Sequence, residues 1–303
     1  MQDSDITNQK KDEEMIVLEI IIQDTYKMYK EMLMLSEDQR GEFFANKLMQ
    51  PFDPVFEKMR MQKTPEALGC IQLSGYDAEM SEMLDMLEKA DAWSIAQKTM
   101  ESAVERFTNA GIVVPDKVVV GIFLGNPALL AQSEGYTGFG SMPGYIQIMI
   151  APNKINLPKL KACIAHEFHH NVLFYNAKWN FMNVSVGKYL AVEGLAESFA
   201  ASLFGEEYIG PWVTEVKGDD LEKSRRIIGK ALDVQGFMEV RKYIFGDHPM
   251  VPEAQAHGIP YCGGYAVGYH AVQAYLSKTG VSVEGATILD GDEIMKLSGY
   301  FDI

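Results

Sequence analysis

The chain has 303 residues, 47% hydrophobic and 23% charged, an ordinary globular composition that leaves no place for extended disorder away from the ends. That length exceeds one small core, so one large domain or two packed subdomains are expected. The net charge of −15 repels phosphate backbones and anionic membrane surfaces, which speaks against nucleic acid or lipid as partners.

Three cysteines, Cys70, Cys163 and Cys262, are far apart and odd in number. They form no disulfide framework and no Cys-x-x-Cys pair, and read as small buried hydrophobes in a reducing cytosol. The opening MQDSDITNQKKDEE is polar and lacks the apolar stretch of a signal peptide. The run MIVLEIII contains Glu19 and is too short to span a bilayer. A cytoplasmic protein without a transmembrane helix is expected.

In chain order, residues 1–13 read as a frayed tail. Ile16, Ile20, Ile21, Tyr26 and Leu33 recur at helical spacing, which predicts a helix over 14–35. Shorter helices broken by Pro51 and Pro54 follow over 37–62, then a short strand near Gly69–Leu73. Residues 74–107 are rich in helix formers, as one long helix or two with a break near Asp91. Met80, Met83 and Met86 there read as core filler.

KVVVGIFLG at 117–125 reads as a buried strand closed by glycine, and YIQIMIA, beginning at Tyr145, as a second. The glycines of SEGYTGFGSMPG between them mark loop or bulge. Asn156 and Pro158 start a helix that carries HEFHH. A second helix runs over 187–205 and ends at Gly205. Helix-like stretches near 219–245, a Pro- and Gly-rich loop over 246–264 and a last helix over 265–279 complete the chain. Strands precede the histidine cluster and helices follow it, which predicts an α+β architecture.

HEFHH at 166–170 satisfies H-E-x-x-H. On a helix, positions i and i+4 share a face, so His166 and His170 can direct imidazole nitrogens at one ion. Glu167, at the edge of that face, can reach a metal-bound water. A catalytic zinc also needs a third protein ligand. Glu193 offers it after 22 intervening residues (171 to 192). Glu197, one turn further, suits a hydrogen bond to a ligand histidine. The apolar surroundings Cys163, Ile164, Ala165, Phe168, Val172 and Leu173 make a half-buried polar cluster without a partner costly. His169 points a quarter turn away and reads as surface or outer polar. His248 and His257 read as exposed loop histidines.

HEFHH followed by VEGLAESF resembles the gluzincin branch of zinc metallopeptidases. Within it, AHEFHHN, VEGLAESF and YCGGYAVGYHAVQAYL resemble the family of predicted Zn-dependent proteases, domain of unknown function 2268. The resemblance covers roughly residues 100–280. It implies a zincin-like fold, and the N-terminal part carries none of the resemblance; the expected division is a helical N-terminal extension (1–60) and a catalytic domain (61–303) made of a small sheet with the active-site helix (61–186) and a mainly helical subdomain (187–303). It implies Zn2+ held by His166, His170 and Glu193, Glu167 as general base and acid, and Glu197 behind the ligands, where many relatives of the wider clan have aspartate. The spacing to Glu193 is longer than in the best-known gluzincins, so the loop near Lys178–Gly187 is expected to be distinctive.

Gluzincins also carry a Tyr or His that stabilises the oxyanion. The candidates are Tyr265, Tyr269 and His270, with Tyr265 favoured because two glycines precede it. By the same analogy an edge strand, either 145–150 or GFGSMPG, holds peptide substrate. Valine at Gly138 or Gly140 is then expected to damage turnover and leave zinc in place. The implied function is a zinc-dependent peptidase acting on a peptide or protein. The alternatives are a zinc-containing protein of the same fold without significant hydrolysis, and a metal-free helical interaction protein.

Overall fold

The structure, a computed structural model, describes residues 18–177, 179–180, 182–248, 251 and 257–302. The expected tail at 1–13, the first residues of the expected 14–35 helix and part of the 246–264 loop lie outside the described residues.

Glu19–Ile22 is not helical but a strand, β1, followed by helix α1 (Thr25–Leu33). Three consecutive β-branched isoleucines favour the strand, and a short apolar run cannot settle its period alone. Asp24 begins α1, its side chain accepting from Lys27 N at 3.0 Å. Helices α2 (Glu37–Phe43), α3 (Asp53–Met59) and α4 (Pro65–Leu68) follow. Pro51 lies in a 3-10 turn and Pro54 in the first turn of α3, where a missing N–H costs nothing. The strand expected near Gly69–Leu73 is a single bridge, Cys70 to Gly125. Helices α5 (Asp77–Lys89) and α6 (Ala92–Asn109) are separated at Asp91, which takes a left-handed φ of 57°.

β2 (Lys117–Leu124), β3 (Tyr136–Met142) and β4 (Tyr145–Ile150) complete one sheet in the order β1-β2-β4-β3. β1 and β4 both pair with β2 in parallel, and β3 pairs antiparallel with β4. The glycine-rich run expected as loop or bulge is therefore the edge strand β3, with a register shift between Phe139 and Met142.

The later helices are α7 (Leu160–Asn176), α8 (Val186–Phe204), α9 (Pro211–Thr214), α10 (Gly218–Gly229), α11 (Phe237–Ile244), α12 (Gly263–Thr279), α13 (Val283–Ala286) and α14 (Gly291–Ser298). The fold is α+β. Pro158 sits in a 3-10 turn that opens α7, but Asn156 does not cap it. Its buried amide instead donates to Glu134 O (3.0 Å) and Ala151 O (2.8 Å), tying the approach to α7 back to the loop before β3. One hydrophobic cluster runs from Leu18 through the sheet and α7 to Met295, so the described part of residues 1–60 shares the core of the rest. Among the described residues no helix is long and apolar enough to cross a membrane.

Candidate metal centre

Helices α7 and α8 are covered on nearly every side: residues 162–173 are all buried, and so are 190–200. A helix buried all round has no polar face to turn toward water, so each polar side chain on it needs a specific partner. Here α7 carries His166, Glu167 and His170, and α8 carries Glu193 and Glu197.

The structure brings His166, His170 and Glu193 together, with one potential ligand atom from each, all within 4.8 Å of one another. His166 Nε2 and His170 Nε2 each stand 3.4 Å from the same oxygen, Glu193 Oε2. The two rings lie 4.6 Å apart and perpendicular. A separation of 3.4 Å is long for a hydrogen bond. It is the spacing of a metal's donors: tetrahedral bonds of about 2.0–2.1 Å place ligand atoms about 3.3 Å apart. The donor set of two imidazoles and one carboxylate, all buried, therefore fits a zinc ion.

His166 Nδ1 faces Glu197 Oε1 at 3.2 Å. That same oxygen accepts a hydrogen bond from Trp212 Nε1 on α9, and the Trp212 ring lies 6.2 Å from the His166 ring. Burial opposes charge on His166, but Glu197 and then Glu193 outweigh it and hold its imidazolium well above the usual histidine range. Burial also works against the Glu193 carboxylate, yet His170 and His166 draw its pKa down to about 2.

Glu167 is buried one position beyond His166 and lines a cleft of about 790 Å³ together with His166, His170 and Glu193. Its burial raises the carboxyl above its ordinary value, against the pull of His166 and His170. Strand β3 lies directly against it. A Cβ on Gly138 would stand 2.4 Å from Glu167 Oε1, and one on Gly140 only 2.1 Å from Glu167 O. Asn171 fixes this approach, donating to Gly140 O (2.6 Å) and Tyr145 O (3.0 Å) and accepting from Gly144 N (2.7 Å). A side chain at Gly138 would press on the Glu167 carboxyl, whereas one at Gly140 would press on the backbone of α7 itself. Of the two expected substrate strands, 145–150 is internal to the sheet and β3 is at its edge.

Of the three oxyanion candidates, Tyr265 alone lines the cleft. Burial and then Glu193 push its phenol well above the ordinary range, so it remains a donor. Tyr269 donates to Glu206 at 3.1 Å, and His270 stacks on Tyr300. The two glycines before Tyr265 pack elsewhere: a Cβ on Gly264 would meet Ile244 Cα at 2.4 Å. The contact with α8 comes from Gly268 and Gly194, where added Cβ atoms would meet Leu190 O at 2.5 Å and Gly268 O at 2.3 Å.

His169 is fully buried rather than at the surface, with Nε2 3.0 Å from Thr287 Oγ1; burial holds it well below the usual histidine pKa. His248 is not an exposed loop residue: it is half-buried, lines the cleft and stacks on Tyr261 at 5.2 Å. His257 is also partly buried, 4.7 Å from the Tyr243 ring. Sequence reasoning missed Trp212, Asn171 and Tyr189. Tyr189 had a signal, since it lies one turn before Glu193 on the same helical face. Trp212 had none, because a turn and a short helix intervene.

The family described as "Predicted Zn-dependent protease (DUF2268)" matches residues 92–296. The chain is 36% identical over 307 residues to the uncharacterized protein YjfC of Bacillus subtilis (strain 168), covering 94% of this chain and 99% of that one. No solved structure gives a significant match.

Proposed function

Because the chain belongs to the family of predicted Zn-dependent proteases, we propose that it is a zinc-dependent peptidase with a zincin-like fold. The observation that carries this reading is the convergence of two imidazole nitrogens on one Glu193 oxygen beside a buried Glu167. His166, His170 and Glu193 would hold the ion, which would polarise a peptide carbonyl and make water nucleophilic near neutral pH.

Everything else is the work of the chain's own groups. Glu167, raised by burial, takes the proton of the attacking water and hands it to the leaving amine. Tyr265, kept protonated, donates to the oxygen on which negative charge develops. Glu197, 3.2 Å from His166 Nδ1, would accept from that nitrogen and so fix which ring nitrogen faces the ion. β3, at the edge of the sheet, holds an extended peptide by its backbone. A reducing cytosol is part of the proposal, supported by three buried free thiols.

The test is elemental analysis of purified wild type beside His166→Ala and Glu193→Ala. About one zinc per chain, lost in both variants, is the expected result. A wild type that holds no metal after incubation with zinc overturns the proposal.

A further inference from the structure

The cleft is lined by more aromatic surface than a metal site needs. Tyr189, Phe245, His248, Tyr261 and Tyr265 all border it, and all five are only partly buried. Core rings of this protein behave differently: Phe107, Phe168 and Phe199 are closed off completely. The five rings form one connected set with Phe245 at its centre. Phe245 lies 6.2 Å from Tyr189, 6.1 Å from Tyr265 and 6.0 Å from His248, and His248 stacks on Tyr261 at 5.2 Å.

The backbone that carries this set is closely packed. Cys262 N donates to Phe245 O at 2.7 Å, joining the end of α11 to the start of α12. A Cβ on Gly246 would stand 2.1 Å from Pro260 O, and one on Gly264 2.4 Å from Ile244 Cα. The set also begins beside the metal centre, because Tyr189 and Glu193 are one turn apart on α8. A half-open group of rings already packed on one another offers edge-to-face and offset contacts to another ring. Three carboxylates, Glu66, Glu167 and Glu193, share the cleft, and among its described lining residues there is no Lys or Arg.

We propose that these rings form a side-chain subsite around Phe245, and that the protein cleaves peptides next to an aromatic residue and rejects an acidic one there. This inference rests on the peptidase reading.

The experiment uses zinc-loaded protein and internally quenched Gly/Ser-rich peptides that differ at one position, occupied by Phe, Ala or Glu, with products mapped by mass. The expected result is cleavage beside Phe, with kcat/KM at least about tenfold above the Ala peptide and the Glu peptide slowest. Phe245→Ala, with Phe245→Leu as the milder variant, should reduce the Phe-to-Ala ratio to about two or less; zinc content verifies that each variant is folded at the metal centre. Equal turnover of the Phe and Ala peptides, or a ratio unchanged in both Phe245 variants, overturns the subsite. Binding of the same peptides to zinc-loaded Glu167→Gln separates the two claims. If wild type cleaves nothing but Phe still binds at least about tenfold tighter than Ala, the peptidase reading falls and the subsite stands. If neither cleavage nor selective binding occurs, both fall.

Discussion

Gly194→Ala sets two opposed effects of known size against each other. In a helix interior, Ala is favoured over Gly by about 0.8–1 kcal/mol. Gly194, however, faces Gly268 across the crossing of α8 and α12, and its added methyl would lie 2.3 Å from Gly268 O. Ordinary contact begins at 3.4 Å, so the helices must separate by about 1.1 Å (3.4 − 2.3). The obstructing atom is backbone and cannot swing aside, which puts the overpacking cost near the top of the usual ~1–3 kcal/mol. The net expectation is a loss of about 1–2 kcal/mol, or a fall in Tm of roughly 2–8 °C. Separation of the helices also moves Tyr265 relative to Glu193, and a displacement of about 1 Å can cost on the order of 100-fold in turnover. The matched control is Gly41→Ala. Gly41 is helical with nothing within 4 Å of its Cβ position, so the same substitution should raise stability by about 0.5–1 kcal/mol. Thermal melts of the two variants beside wild type, with zinc content and peptide turnover, decide the matter. If Gly194→Ala melts as high as Gly41→Ala, the helices are not in the close contact described and the reasoning fails.

Three further outcomes are expected. Glu167→Gln should bind zinc as wild type does and lose about 10²–10⁴-fold in kcat; turnover within tenfold of wild type would refute its role as base. Zinc uptake near pH 7 should release about one proton, because His166 is held above the usual histidine range in the metal-free protein and must give up its Nε2 proton to bind. The sign follows: the raised pKa lets protons compete, so zinc affinity should climb about tenfold per pH unit until His166's own pKa is passed. Calorimetry in buffers of different ionisation enthalpy measures this, and uptake without proton release contradicts it. Trp212→Phe removes the N–H on Glu197 and keeps a ring, so zinc affinity by chelator competition should fall about tenfold. In a Glu197→Gln background it should fall no further; additive losses would mean that Trp212 does not act through Glu197.

The legible parts of this chain were those decided within a few residues. HEFHH puts two imidazoles on one helical face by backbone geometry alone, and VEGLAES does the same for Glu193 and Glu197. The strands at 117–124 and 145–150 declare themselves through β-branched runs. The break at Asp91 and the stops at Gly205 and Gly280 follow from local turn and cap preferences. Where two conformations are locally acceptable, distant packing decides between them. EIII at 19–22 can be helix or strand, and its pairing partner lies 98 positions away (117 − 19). The glycines at 138 and 140 look like loop until α7 is seen packed against them.

By itself, then, the sequence determined the groups available: two imidazoles and a carboxylate in register on one helix, with further carboxylates on the next. Only the tertiary structure decided which groups meet. The packing of α7 on α8 brings Glu193 Oε2 between two rings, and α12 turns Tyr265 into the cleft while Tyr269 donates to Glu206. α9 delivers Trp212 to Glu197, and β3 lies over Glu167. The reason is physical. Covalent geometry relates residues within one turn or one strand pair, whereas contacts between distant segments form only when they bury a common core.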